Sequence, residues 1–342
     1  MNEDETIRRW HYVAIFIVAG ILSILLAVLE SQPSIGQSVL MVIGAFIFLT
    51  LIFTILIPST SSPFIYRLKA QPRVSVLLLG IVMFFPLSNW YFSADMLSAL
   101  VSYLTWYVLP TALMGLPLVL QHHRMKRFDF VFHITGVLVF ATGFDMRYTS
   151  VAINGLAEMR YEFNALWISS LILLLLSIQI HDFDGKFNWQ ITRHKLAVSF
   201  LGLSILLLVL VPLGVVTGFL GWNPTFEGPE VVIISFIGIW LTIALPEEIV
   251  ARGVVQHQLT ECVFSEENRY RKYWKWVALV IASILFGSSH WNNTSQEFMW
   301  VYVSLATVAG IAYGICWWFG GLFSAMFIHT LVDWIWAMFF RV

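Results

Sequence analysis

Residues 231–260 read VVIISFIGIWLTIALPEEIVARGVVQHQLT. The run is long and apolar enough to cross a bilayer, yet it carries Glu247, Glu248 and Arg252 in its interior. On insertion scales a charge at a helix centre costs roughly 2.5–3.5 kcal/mol, against about 0.3–0.6 kcal/mol returned by each Leu or Ile. With Glu at the same figure, these three charges would cost roughly 8–10 kcal/mol if ionised and unpaired. The neighbouring Ile, Val, Leu and Ala barely offset that. Stability does not explain such residues, and ionisable groups inside a span point to function by default. Two later apolar stretches repeat the pattern at one-turn spacing, as Phe286-x-x-x-His290 and His329-x-x-x-Asp333.

Composition extends this reading to the whole chain. Of 342 residues, 59% are hydrophobic and only 11% charged, with a mean hydropathy of +0.81. So few charges cannot cover a water-facing surface, so a lipid bilayer is the expected partner. A net charge of −1 and the absence of a basic run give no reason to expect nucleic acid. Cys262 and Cys316, the only cysteines, read as small apolar residues and not as a disulfide framework or a cysteine zinc site. The opening MNEDETIRRWHY is too acidic for a signal-peptide n-region, so the apolar run at 11–29 is expected to be a retained helix.

Apolar stretches fall at about 11–29, 38–58, 74–92, 96–120, 165–181, 196–220, 231–260, 277–291, 297–318 and 322–340, with a shorter one at 128–144. Arg8 and Arg9, then Arg67, Lys69 and Arg73, then Arg124, Lys126 and Arg127 occupy alternate gaps; 30–37 and 93–95 have no Lys or Arg. If 128–144 crosses, Lys186, Arg193 and Lys195 join the same side, as do Arg269, Arg271, Lys272 and Lys275. The expectation is therefore an all-α, polytopic membrane helical bundle of about eleven transmembrane helices. Its N-terminus would be cytoplasmic, in a plasma (bacterial inner) membrane, with 145–164 as an external loop. Residues 1–195 form an N-terminal membrane region of unassigned role, and 196–342 form a C-terminal domain with its motif core at 231–340.

Charged partners must meet at one depth to do chemistry. If the helix of Glu247 ended at Arg252, Glu247 would lie about 8 Å from the basic edge and His290 about 20 Å in. The sequence GVVQHQLTECVF after Arg252 can instead prolong the helix to about Phe264, and the two depths then agree. Arg252 becomes an intramembrane residue one turn from Glu248, where an i,i+4 ion pair forms. Glu248 is then the structural partner of Arg252, and Glu247, about 100° around the helix, is free to act as general base or acid with His290 orienting the attacking water. His329 and Asp333, one turn apart, are placed to hold a carbonyl oxygen as it gains charge. Gly310-x-x-x-Gly314 allows close helix packing, and Gly320-Gly321 supplies a tight turn into the last helix.

Glu-Glu-x-x-x-Arg, Phe-x-x-x-His and His-x-x-x-Asp in this order resemble the CPBP family of intramembrane proteases, which includes the type II CAAX prenyl protease and bacterial Abi-type proteins. The resemblance covers roughly residues 230–340. It implies an intramembrane endopeptidase of the glutamate type, formerly classed as metalloprotease, that hydrolyses a peptide bond of a membrane-associated protein or peptide. Glu247 and His290 would activate water, His329 and Asp333 would stand at the oxyanion side, and Glu248, Arg252 and Phe286 would support the site. Asp333 stands where the prenyl protease branch has Asn, which favours a bacterial-type member. An ionised Asp accepts but does not donate, so it is either protonated or orients His329.

Each motif alone has a plainer reading: a salt-bridged helix, an interfacial histidine beside Trp291 and Asn292, and a structural His–Asp pair. Gly287-Ser288-Ser289-His290 fits a short serine-protease pattern, with His329 as base. Glu247, His290 and His329 also make a two-His, one-Glu zinc set, although no cofactor is the favoured expectation. Competing functions are a proton-coupled membrane transporter and a catalytically silent CPBP-type scaffold or immunity protein. The concentration of buried charge in one late bundle, without paired interrupted helices, favours the enzyme.

Overall fold

The computed structural model describes residues 3–29, 35–91, 96–120, 131–132, 135–136, 138–139, 170–178, 187, 189–225, 228–261 and 271–341. Apart from short helical fragments, the expected span at 128–144 lies outside these residues, and the loop at 145–164 and Cys262 lie wholly outside them. The described chain is helical, and its one paired ribbon is a two-residue antiparallel contact, β1 (Gly221–Trp222) with β2 (Phe340–Arg341).

The chain packs as two units, Met1–Val108 with Thr149–Gln190, and Leu109–Tyr148 with Ile191–Val342. In the first, α1 (Glu3–Leu29), α2 (Ile35–Leu56) and α4 (Pro72–Tyr91) coincide with expected apolar stretches, and α5 (Met96–Tyr103) begins another. A helix not expected from hydropathy, α3 (Pro58–Ala70), carries Arg67 and Lys69. Pro58 at its first position presets the backbone for a helix start, where no N–H partner is needed.

The second unit begins with α6 (Leu109–Leu120) and continues with α7 (Arg193–Val216). Next comes α8, which runs over 229–261 as helical and π-helical segments. After it come α9 (Arg271–Ser288) and α10 (Met299–Phe339). Among the described residues three helices are long and apolar enough to cross a membrane: Arg193–Val216, Pro229–Thr260 and Met299–Phe339. On α7 the buried positions Ser199, Leu203, Leu206, Leu210 and Gly214 recur every three or four residues. The opposite face leaves Leu208 76% and Val216 85% exposed. An apolar outer face of this kind belongs in hydrocarbon, and the chain is an integral membrane protein.

Two glycine devices position the site. Gly321, at φ 70° and ψ −165°, breaks α10 into two arms that run back along each other. A side chain is strained in that backbone conformation, which is why the bend needs glycine. α7 and α9 both pack against α10. At the α9–α10 crossing a Cβ on Gly310 would meet Phe286 at 3.2 Å and Ser283 at 3.3 Å, and one on Gly314 would run into Leu279 and Gln256. Gly287 answers from α9, where a Cβ would strike Thr307 and the Val303 carbonyl. Small residues therefore set the approach of the helices, as expected where lipid removes the hydrophobic drive for association.

Two boundaries differ from expectation. The stretch expected as helix to residue 220 leaves the helix after Val216, because Gly218 takes φ 72° and the Leu220 amide turns back to donate to the Gly214 carbonyl. This drives Phe219 and Leu220 into the core. The stretch expected to 291 ends at Ser288, and the amides of His290 and Trp291 donate three residues back, to Gly287 and Ser288. His290 therefore sits in a turn just past the helix end.

Candidate active site

The backbone of α8 is unusual where its charges lie. Pro246 has no N–H, and its ring opposes the carbonyl four residues earlier. The preceding turn, Trp240–Ala244, widens to a π-helix, and the Leu245 amide donates to the Trp240 carbonyl five residues back. A second π-helical stretch, Ile249–Gln256, follows. Such widenings are frequent at functional sites because they re-aim side chains without ending the helix. The helix then carries Arg252 to full burial and continues to Glu261.

The two adjacent glutamates have different surroundings. Glu248 is fully buried and both its oxygens are engaged. Oε2 accepts from Arg252 Nε at 3.0 Å, and Oε1 lies 2.9 Å from His329 Nδ1. Glu247 keeps 19% of its side chain exposed, and its buried Oε2 accepts no hydrogen bond among the described residues. That oxygen lies 3.8 Å from His329 Nε2.

On the second arm of α10, His329 Nε2 also faces Asp333 Oδ2 at 3.3 Å. An imidazole with a carboxylate on each nitrogen donates to both only as the imidazolium. Three carboxylates, one guanidinium and this ring thus form a near-balanced cluster, which lets charge persist away from bulk water.

His290 arrives from the turn after α9. Its Nδ1 lies 2.8 Å from the Phe286 carbonyl. A carbonyl only accepts, so Nδ1 carries a proton, and the lone pair of a neutral ring would lie on Nε2. Glu247 is within electrostatic reach of His290, His329, Asp333 and Glu248. Phe286 ties the group together. Its ring lies 4.8 Å from that of His290, 5.6 Å edge-on from His329 and 5.2 Å from the Arg252 guanidinium.

All seven residues singled out from the sequence therefore converge in one place. The Ser289 hydroxyl donates to the Phe286 carbonyl at 2.7 Å, and the nearest imidazole nitrogen, His290 Nδ1 at 3.3 Å, is itself a donor. Among the described residues, the imidazole at that hydroxyl is not placed as a base. Among the described residues no group of three or more His, Cys, Asp or Glu side chains is arranged to hold a metal ion. Two aromatic residues of the site were not foreseen. Tyr313 stacks on His329 at 4.7 Å, and Tyr302 meets His290 edge-on at 5.5 Å. They lie eleven residues apart on the first arm of α10, three helical turns and so one face. In a chain that is 16% aromatic, neither residue carries a signal in the sequence.

Residues 229–335 match the family model described as type II CAAX prenyl endopeptidase Rce1-like. This stretch is an Rce1-like domain. It begins at the first residue of α8, ends in the second arm of α10, and contains all seven converging residues. No curated protein and no solved structure matches the chain. The Rce1-like match agrees with the CPBP resemblance carried by the three motifs, and it points to a CAAX-type protease with a membrane-associated substrate.

Proposed function

We propose that the Rce1-like domain is an intramembrane endopeptidase of the glutamate type, acting on a peptide bond of a membrane-associated protein or peptide. The carrying observation is the division between neighbours: Glu248 is locked by Arg252 and His329, while Glu247 keeps a partly exposed side chain and a buried oxygen with no donor among the described residues. Glu247 takes a proton from water, which His290 Nε2 helps to orient, and the water oxygen attacks the scissile carbonyl carbon. The carbonyl electrons move to oxygen, where His329 Nε2–H, aligned by Asp333, offers a donor. Collapse expels the amine, which takes the proton back from Glu247.

The same reading places about eleven crossings in a bacterial inner membrane, with the N-terminus cytoplasmic and no cofactor.

Purified protein in proteoliposomes tests it with two probes, a farnesylated CAAX-type peptide and an unprenylated transmembrane peptide. Cleavage of one of them, with Ser289→Ala fully active and activity unchanged by a metal chelator, is the expected result. Loss of cleavage in Ser289→Ala, or chelator inactivation reversed by zinc, contradicts the mechanism. Solute uptake without cleavage of either peptide contradicts the enzyme reading.

A further inference from the structure

The proposed reaction needs donors for the oxyanion, and the residues of the motifs are mostly acceptors. Glu247, Glu248 and Asp333 are carboxylates, His290 Nδ1 is committed to the Phe286 carbonyl, and Arg252 gives Nε to Glu248 while its guanidinium, with Nη1 and Nη2 unpartnered among the described residues, lies over the Phe286 ring. His329 presents one N–H, already shared with Asp333. A tetrahedral intermediate is ordinarily held by more than one donor.

Tyr302 borders the site from the first arm of α10. Its ring meets His290 edge-on at 5.5 Å and lies 5.6 Å from Trp336, which is less than one turn beyond Asp333 on the second arm of α10. It therefore bridges the His290 wall and the Asp333 wall of the site. Phe219, fully buried by the Gly218 turn, packs on the same ring at 5.5 Å and fixes its plane. The hydroxyl is hydrogen-bonded to Asn293 of the turn that carries His290, and the fields of Asp333 and Glu247 reach it. With the Asn293 amide N–H donating to the phenol oxygen, the phenol O–H is left to donate.

We infer that Tyr302 is a further catalytic residue of this site, donating its hydroxyl to the oxyanion opposite His329, with Asn293 as its positioning residue. The inference rests on the endopeptidase reading above. No bond to Tyr302 forms or breaks; its O–H strengthens one hydrogen bond as the carbonyl oxygen becomes negative.

Tyr302→Phe keeps the ring and its packing and removes only the hydroxyl. In the proteoliposome assay kcat should fall about 10²-fold, as for loss of one oxyanion donor, with KM and thermal stability unchanged. Binding of a peptide phosphonate, which mimics the tetrahedral state, should weaken by the same factor. Asn293→Ala should lower kcat by a smaller factor, and Tyr302→Phe/Asn293→Ala together should be no worse than Tyr302→Phe alone. Glu247→Gln run beside them separates the two claims. If Glu247→Gln is inactive while Tyr302→Phe retains kcat and phosphonate affinity within about threefold, the role of Tyr302 is wrong and the reading stands. A change confined to KM or stability also overturns it. If Glu247→Gln still cleaves, or wild type cuts neither peptide, the reading and the inference fall together.

Discussion

Arg252 is fully buried, and among the described residues it has a single ion-pair partner and its Nη1 and Nη2 make no hydrogen bond. Its role is electrostatic and local: it holds the Glu248 charge, which in turn clamps His329 Nδ1. Removing one member of a buried pair leaves the other uncompensated, at about 3–5 kcal/mol. Arg252→Met should therefore lower the melting temperature in detergent, and Arg252→Met with Glu248→Gln should recover much of the loss. A double variant as unstable as the single one would show that the pair does not act as a unit. At this scale the sequence was informative wherever a charge interrupted an apolar run, since a misplaced charge is rare in lipid. It was uninformative for Tyr302, Tyr313 and Phe219. In a chain that is 16% aromatic, three more rings carry no signal, and only the fold shows that they touch His290 and His329.

Between elements, glycine decides how closely α9 and α10 approach. At Gly287 an added methyl meets backbone, the Val303 carbonyl at 2.7 Å and the Thr307 amide at 2.9 Å, so no side-chain rotation relieves it. Gly287→Ala should cost roughly 1–3 kcal/mol, the usual range for overpacking, and should lower activity by shifting His290 three residues away. A thermal melt equal to wild type would contradict the close crossing. Gly321→Ala meets a different obstacle, the backbone at φ 70°, at about 1–3 kcal/mol. Apart from α3, helix existence was legible from hydropathy, and the turn at Gly320-Gly321 from the glycine pair. The π-helical widening around Pro246 was not, because it answers a clash between backbone groups that leaves no periodic trace. The early end of α9 was equally hidden: apolar content continues to Trp291, and only the turn hydrogen bonds of His290 and Trp291 stop the helix.

Across the second unit, contacts gather at two ends. Lys275 lies over the Trp318 ring at 5.2 Å, and His194 Nε2 lies 3.2 Å from the Phe319 carbonyl, so the start of α9, the start of α7 and the bend of α10 share one end. At the other end the β1–β2 pair joins Trp222 to Phe340, and Trp291 packs on Trp300 at 4.6 Å. In the proposed orientation, with positive charge toward the cytoplasm, the first end faces inward. With Cys262 and Cys316 replaced by Ser, an impermeant maleimide applied to intact bacterial cells should label Ser295→Cys and spare Ile191→Cys. The reverse pattern would invert the orientation. The site itself gathers from three separate stretches of sequence. Their order and one-turn spacings were legible, whereas the sharing of His329 between Glu248 and Asp333 depended on how α8 meets the second arm of α10.

The unequal duties of two adjacent carboxylates are tested most directly by measuring kcat and melting temperature together for Glu247→Gln and Glu248→Gln in the same membrane preparation. Glu247→Gln should lose about 10²–10⁴-fold in kcat, the span attributed to general acid–base catalysis, and melt like wild type. Glu248→Gln should melt at a clearly lower temperature, because Arg252 and His329 lose their shared anion. Substantial cleavage by Glu247→Gln, or a wild-type melt for Glu248→Gln, would contradict the account.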